Sequence, residues 1–188
     1  LLSSLNQGYG DVAAAMLTIT EERSKTIDFT IPYLSHINEV LVQHAKSPEI
    51  NSLEDLAGKT VVIAGGTNYH ESLKSINQQL AKQKLTVMRI IPFNNIASEN
   101  ILEMINSGLF PYTFIDSHLA KIWSSVLPNL KIDTAVHAAK NQSIGWAVRK
   151  NNPQLKSFLN SFLSKHKKGT LMGNILFKRY YTNKTWLN

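Results

Sequence analysis

Short apolar runs alternate with amphipathic segments along most of the 188-residue chain. Continuous apolar runs predict buried strands at 12–17, 60–64 and 144–148. Apolar residues spaced three or four positions apart predict helices at 69–81 and 97–106. Strands that alternate with helices are typical of an α/β fold with parallel strands.

The same patterns predict the remaining elements. These are an extended segment at 39–43, a short capped helix at 52–56 ending at Gly58, strands at 85–91 and 112–115, and helices at 118–125, 153–165 and 171–181. Leu1, Leu2 and Leu5 resemble the end of an amphipathic helix closed by Gly8 and Gly10. We therefore expect the chain to begin within a fold.

The order of these elements predicts two lobes of parallel-type sheet flanked by helices. Residues 38–143 form a βαβαβα unit inserted between 1–37 and 144–188, which must pack together as the other lobe. An inserted lobe has two connecting segments, and such a pair is a natural hinge.

Charge is distributed unevenly along the chain. The formal net charge is +7, yet all 13 acidic residues precede residue 134, and ten Lys and Arg residues follow residue 133. The basic C-terminal end could bind anionic lipid, a cell-wall polymer or nucleic acid. Alternatively, its charges could lie on a solvent-exposed helix face. Aromatic and basic residues are not interleaved as in RNA-binding motifs, which argues against a nucleic-acid partner.

Cysteine is absent, which excludes disulfides, thiolate metal sites and cysteine nucleophiles. The six histidines lack metal-binding spacing, so we expect no metal site and no cofactor. No apolar run approaches the roughly 20 residues that span a bilayer.

The stretch from Thr18 to Tyr33 carries the strongest chemical signal. A buried strand there delivers hydroxyls and the guanidinium of Arg23 to the start of a helical turn, an arrangement suited to binding an anion. Alternatively, Arg23 pairs with Glu21, Glu22 or Asp28. No catalytic nucleophile is implied.

Two further sites follow predicted strands. Gly65 and Gly66 allow close backbone approach, while Thr67 and Asn68 can cap the next helix or present donors outward. The alternative is a tight turn with an ordinary cap.

Asp116 ends another strand, where ligands collect in open α/β sheets, although it could instead cap the following helix. Together, Arg23 and Asp116 offer charges of both signs, which suit the two ends of an amino acid.

Several motifs in order resemble the amino-acid-binding family of type 2 periplasmic solute-binding proteins. They are Thr18 to Arg23, the Asp-Phe-x-x-Pro-Tyr pattern at 28–33, Leu-Glu-Asp-Leu-Ala-Gly-Lys at 53–59, Gly66-Thr67, Asp116, Ala-Val-Arg-Lys at 147–150 and Lys-Gly-Thr-Leu at 168–171. The resemblance covers nearly all of the chain and implies the type 2 periplasmic-binding-protein fold. It also implies that the first lobe is incomplete at its N-terminus.

This resemblance implies roles for the candidate residues. Arg23 would bind a ligand α-carboxylate with Thr18 and the backbone near Thr67 and Asn68, and Asp116 would bind the α-amino group. Ala15 and Met16 stand where relatives often have serines or small residues, so the ligand would be held there more through backbone groups.

Within the family, the likeness is greatest to regulatory domains of membrane-bound lytic transglycosylases. The chain would then be a ligand-binding domain, not itself catalytic, in the periplasm or at the outer membrane of a Gram-negative envelope. Its ligand would be an amino acid or a small peptidoglycan-derived peptide, and its partner a membrane permease or a downstream catalytic domain. The alternatives are a dehydratase-like enzyme and a sensor or effector domain of the same fold.

Overall fold

In the computed structural model, residues 1–182 are described, and they form the alternating helices and strands that the hydrophobic pattern predicts. In chain order the elements are α1 (Leu2–Asn6), β1 (Val12–Thr18), α2 (Glu21–Ser24), β2 (Ile27–Phe29), β3 (Leu34–His44), a 3-10 helix (Glu54–Leu56), β4 (Thr60–Ala64), α3 (Tyr69–Lys82), β5 (Arg89–Phe93), α4 (Ser98–Asn106), β6 (Tyr112–Asp116), α5 (Ser117–Trp123), β7 (Leu130–Arg149), α6 (Pro153–His166), α7 (Leu171–Phe177) and a π-helical turn (Lys178–Thr182). The α/β fold class is confirmed.

The chain divides into two compact units. Unit 1 comprises residues 1–37 and the chain from 141 onward, and unit 2 comprises residues 38–140. Strands β3 and β7 each cross a boundary, so they carry the chain between the units. The last six residues of the predicted first lobe, 183–188, lie outside the described residues.

In unit 1, the end of β7 lies between β1 and β2 and pairs antiparallel with both. Thr18 is the register partner of Ile144, and Asp28 is the partner of Val148. A small core beneath these strands contains Leu5, Ala13, Ile27, Phe29 and Ala147. The first helix, α1, contributes Leu5 to this core, as its apolar spacing predicts.

In unit 2, the strand order is β3-β6-β4-β5, with β3 antiparallel to β6 and the other pairs parallel. Helix α3 buries Leu73, Ile76 and Leu80, the apolar stripe from which the helix was predicted. The parallel pairing expected from the sequence therefore holds for β4, β5 and β6, while the sheet as a whole is mixed.

Strand β5 begins at Arg89, four residues later than the prediction of Leu85. Two interactions precede the strand: the Leu85 N–H donates to the Leu80 carbonyl oxygen of α3 at 2.9 Å, and the Asn77 amide donates to the Met88 carbonyl oxygen at 2.9 Å while its oxygen accepts the Met88 N–H at 2.8 Å. These bonds occupy the backbone groups that a neighbouring strand would otherwise use.

Two other boundaries also differ from prediction. The short helix predicted at 52–56 is a 3-10 turn at Glu54–Leu56 without a side-chain cap. The Asp55 carboxylate accepts the backbone N–H groups of Asn51 and Ser52 at 2.8 and 3.0 Å in front of this turn. Strand β7 starts at Leu130, well before the predicted strand at Ile144.

Within residues 1–182, no helix is both long enough and apolar enough to cross a bilayer.

Candidate ligand-binding site

Arg23 is held beside the end of β1. The Thr20 hydroxyl oxygen caps α2 by accepting the Arg23 backbone N–H at 3.2 Å. The Arg23 guanidinium then donates from Nη1 to the Thr18 carbonyl oxygen at 2.9 Å, and Thr18 itself is buried. Cap and guanidinium bond together fix a cationic group at the strand end, as the sequence predicts.

Two of the carboxylates proposed as alternative partners of Arg23 pair with lysines. Glu22 accepts a bond from Lys25 at 2.5 Å, and Asp28 pairs with Lys156 at 3.1 Å. The Glu22 pair is largely exposed, while the Asp28 pair is about one-third exposed and joins β2 to α6.

Ala15 and Met16 lie in an irregular part of β1. The ladder with β7 shifts register between Ala13 and Leu17, so the pairing of these two strands is interrupted around Ala15. Such bulges redirect backbone and side chains near functional sites. Met16 packs against the hydrophobic cluster that contains Leu34 and Ile144.

In unit 2, the turn between β4 and α3 positions three of the candidate residues. Gly66 has a φ of +75°, and a Cβ there would meet nothing within 4 Å. The Thr67 hydroxyl donates to the Ala64 carbonyl oxygen at 2.7 Å and so closes the turn. Glycine is therefore favoured here by the left-handed backbone conformation, because a Cβ would not clash with any surrounding atom.

Asn68 takes neither role that the sequence suggested. Its side chain makes no cap bond to α3 and does not point outward. Instead, its Nδ2 donates to Glu39 Oε1 at 2.5 Å inside the protein. The cap expectation was wrong because the Asn68 backbone is already helical, with φ −66° and ψ −18°, whereas a capping residue has non-helical dihedral angles.

Asp116 lies at the carboxyl end of β6, as predicted, and Glu39 is its register partner on β3. Glu39 is 1% and Asp116 4% exposed, so two carboxylates stand side by side in a buried place. The Asp116 side chain makes no cap bond to α5, which contradicts the capping alternative. Two negative charges so close together would destabilise the fold unless a cation or a proton neutralises one of them.

Tyr69 completes the same cluster. Its phenolic oxygen accepts the Asp116 backbone N–H at 3.2 Å. Burial, together with the neighbouring charges of Asp116 and Glu39, raises the pKa of the Tyr69 phenol well above its ordinary value. The phenol therefore stays neutral and keeps its hydrogen-bonding proton.

Sequence reasoning missed Glu39 and Tyr69. A signal for Glu39 was present, because it is an acidic residue at the start of the apolar run 40–42. A carboxylate in a buried strand is exceptional and commonly functional. Tyr69 gave no such signal, since its spacing fits an ordinary core position of α3.

The residues of the candidate site thus fall into two groups that are each assembled within one unit. Thr18 and Arg23 are joined in unit 1. Asn68, Glu39, Asp116 and Tyr69 are joined in unit 2. In the described part of the chain, no group of three or more His, Cys, Asp or Glu side chains could hold a metal ion.

Known proteins resemble this chain in sequence and in fold. The family model described as bacterial extracellular solute-binding proteins, family 3, matches residues 1–182. A membrane-bound lytic murein transglycosylase F of Desulfosudis oleivorans is 31% identical over 182 residues, which are 97% of this chain but 38% of that protein. The chain therefore spans well under half of this curated relative.

Solved structures of similar fold include amino-acid-binding proteins. An ancestral arginine-binding protein bound to arginine has a TM-score of 0.79 and 25% identity, covering 96% of this chain and 75% of that one. The holo arginine-binding protein of T. maritima has a TM-score of 0.72 and 26% identity, covering 96% and 73%.

Proposed function

Because the chain belongs to the bacterial extracellular solute-binding proteins of family 3, we propose that it binds an amino acid or a small peptide through Arg23 and Asp116. The Arg23 guanidinium takes the ligand carboxylate. Asp116 takes the ligand ammonium.

Support for the carboxylate role comes from how Arg23 is held. Its bond to the Thr18 carbonyl oxygen and the Thr20 cap reduce the freedom that a long side chain would lose on binding. A planar guanidinium also matches a carboxylate with two parallel hydrogen bonds. Around Ala15, Met16, Gly66 and Thr67, backbone groups add further contacts to the ligand.

The observation that carries the proposal is the burial of Asp116 directly across from Glu39. An ammonium placed at this pair is attracted by both carboxylates, which supports a cationic group on the ligand. The structural neighbour of 25% identity is described as bound to arginine, an amino acid with two cationic groups. We therefore include basic amino acids among the candidate ligands.

Binding would be coupled to movement of the two lobes, 1–37 with 144–188 and 38–143. The two chain connections run through β3 and β7, and a pair of connections permits hinge motion. A ligand that contacts both lobes stabilises the state in which both contacts are made and shifts the population toward it.

Calorimetric titration with a panel of L-amino acids and muropeptides tests the ligand assignment. Arg23→Ala should abolish binding of the tightest ligand, and Asp116→Asn should weaken it by at least about tenfold. Arg89→Ala and Glu103→Gln are matched controls, because both residues are exposed and lie outside the site. Unchanged affinity in Arg23→Ala would refute the carboxylate role.

A second proposal concerns the whole protein. The relatives named membrane-bound lytic murein transglycosylase F extend well beyond the region that this chain matches. We infer that the domain regulates a peptidoglycan-cleaving domain in the periplasm or at the outer membrane, rather than delivering ligand to a permease. Murein digestion by the full-length gene product, measured with and without the ligand, distinguishes the two, because a transport receptor leaves digestion unchanged.

A further inference from the structure

The last two helices carry large apolar side chains that remain exposed. On α6 these are Phe158, 70% exposed, and Phe162; on α7 they are Leu171, 82% exposed, Met172, Ile175 and Leu176. We call these six residues the α6–α7 apolar face. Large apolar side chains concentrated on neighbouring elements mark an interaction surface, whereas scattered ones do not.

Helix α7 explains why the face is exposed. Leu171, Met172, Ile175 and Leu176 lie on one side of the helix, at positions separated by one, four and five residues. On the other side, Gly173 packs so closely on the Lys167 backbone that a Cβ there would clash. The helix is thus fixed through its glycine side, and the exposed side is the more apolar one.

A cavity of about 270 Å³ in unit 1 opens between these helices. Its aromatic lining consists of Tyr33, Trp146, Phe162, Phe177, Tyr180 and Tyr181. The rings of Phe162 and His166 stack at 4.1 Å, and those of Phe177 and Tyr181 stack at 4.8 Å. Phe162 and Leu176 belong to both the cavity and the face, so the two form one continuous apolar surface.

Basic residues are frequent on and directly beside α6 and α7, and neither helix contains an acidic residue. Lys165, Lys167, Lys168, Lys178 and Arg179 lie on or directly next to the two helices, and we call them the basic rim. The Lys168 ammonium lies 4.2 Å from the centre of the Phe177 ring. No Asp or Glu occurs after residue 133, so no acid of α6 or α7 neutralises the rim.

We propose that the α6–α7 apolar face and its basic rim dock this chain onto an anionic phospholipid bilayer. The apolar side chains enter the boundary between headgroups and acyl chains, and the rim binds lipid phosphates. A second copy of the chain would bring one basic rim against another, which like-charge repulsion disfavours. None of the residues of the face or the rim is a candidate ligand-binding residue, so the inference does not depend on the proposed ligand site.

Vesicle sedimentation with the 188-residue chain tests the inference. The chain should bind vesicles of phosphatidylcholine mixed with phosphatidylglycerol and should bind pure phosphatidylcholine far more weakly, and added salt should weaken the binding. Neutralising three rim charges in Lys165→Gln/Lys167→Gln/Lys168→Gln should reduce the partition coefficient about 100-fold, at about fivefold per charge. Its matched control is Lys74→Gln/Lys82→Gln/Lys84→Gln, which removes the same charge from unit 2 and should bind normally.

The apolar contribution needs its own variant. Leu171→Ser/Ile175→Ser should reduce partitioning at least about tenfold. The control Tyr9→Ser/Leu109→Ser removes two other exposed apolar side chains and should bind as the parent does. Thermal unfolding of every variant checks that the fold is retained.

Three outcomes would overturn the inference. They are equal binding to neutral and anionic vesicles, loss of binding in the unit 2 controls, and no vesicle binding at all. If sedimentation velocity instead showed dimers that Leu171→Ser/Ile175→Ser abolishes, while vesicles bound no protein, the face would be a contact between copies of the chain.

Discussion

Glu39 and Asp116 are register partners on adjacent antiparallel strands, and both are buried. Side chains directly opposite one another on such strands have Cβ atoms about 5 Å apart on the same face of the sheet. The Asn68 amide bonds one of these carboxylates, and the Asp116 backbone N–H bonds the Tyr69 phenol. This cluster places two carboxyl groups where water is largely excluded.

The Glu39→Gln variant should separate the effect of the carboxylate pair on folding stability from its effect on ligand affinity. Glu39→Gln keeps an oxygen to accept the Asn68 bond but removes one negative charge. We expect the ligand-free chain to be as stable as the parent or more stable by up to about 1 kcal/mol, because repulsion is relieved. The affinity for the amino acid should fall at least about tenfold, because the ammonium loses an opposing charge.

Urea denaturation and calorimetry measure the two effects on the same samples. Glu103→Gln removes the same charge from the exposed side of α4 and should change neither quantity appreciably. A Glu39→Gln variant that binds normally would show that the ligand ammonium does not reach Glu39.

From the raised pKa of Tyr69 we expect the folded chain to lose stability at alkaline pH. The pKa of its phenol is raised well above 10.0 in the folded chain, mainly by burial. The folded state therefore holds the proton more tightly than the unfolded state. This difference stabilises the fold fully below about pH 10, and the stabilisation is lost as the pH rises toward the folded pKa of Tyr69.

Tyr69→Phe isolates this contribution. At about pH 8 the variant should be less stable by about 1–2 kcal/mol, because the Asp116 N–H loses its acceptor. Above pH 10 the difference between parent and variant should shrink by about 1.4 kcal/mol per pH unit. Urea denaturation across this range measures it, with Tyr9→Phe as the exposed control. A difference that is constant with pH would contradict the role of Tyr69.

Hydrophobic periodicity predicted most helices and buried strands, since burial and repeat length are properties of a local segment. Strand β4 and helix α3 are examples. The family motifs likewise predicted Arg23 near the end of β1 and Asp116 at the end of β6, and both positions agree with the structure. Their surroundings were harder to predict, because the partners of a buried polar group are distant in the chain: Asn68 bonds Glu39, 29 residues away.

Strand ends were mispredicted where a side chain competed for backbone groups. At β5 the apolar run 85–88 continues the strand pattern, yet Asn77 takes both backbone groups of Met88. Periodicity contains no information about such long-range bonds.

The Asn77 contact should be worth a measurable free energy. Asn77→Ala removes an acceptor and a donor and leaves both Met88 backbone groups without these bonds. We expect the free energy of unfolding to fall by about 2 kcal/mol, although alanine is the better helix former. Gln78→Ala, on the exposed side of the same helix, should change it by less than about 0.5 kcal/mol. Equal effects of the two substitutions in urea denaturation would refute the assignment.

Gly145 leaves room for the segment that leads to Arg23. It lies on β7, and a Cβ there would stand 3.1 Å from Ile19 Cδ1 and 3.3 Å from the Thr30 carbonyl oxygen. Gly145→Ala should therefore cost about 1–3 kcal/mol through overpacking, and adding Ile19→Val, which removes the nearest atom, should restore part of the loss. Gly10→Ala meets nothing within 4 Å and serves as the control. A double-mutant cycle in urea decides the outcome, because strictly additive effects would mean that Ile19 is not the atom against which alanine packs.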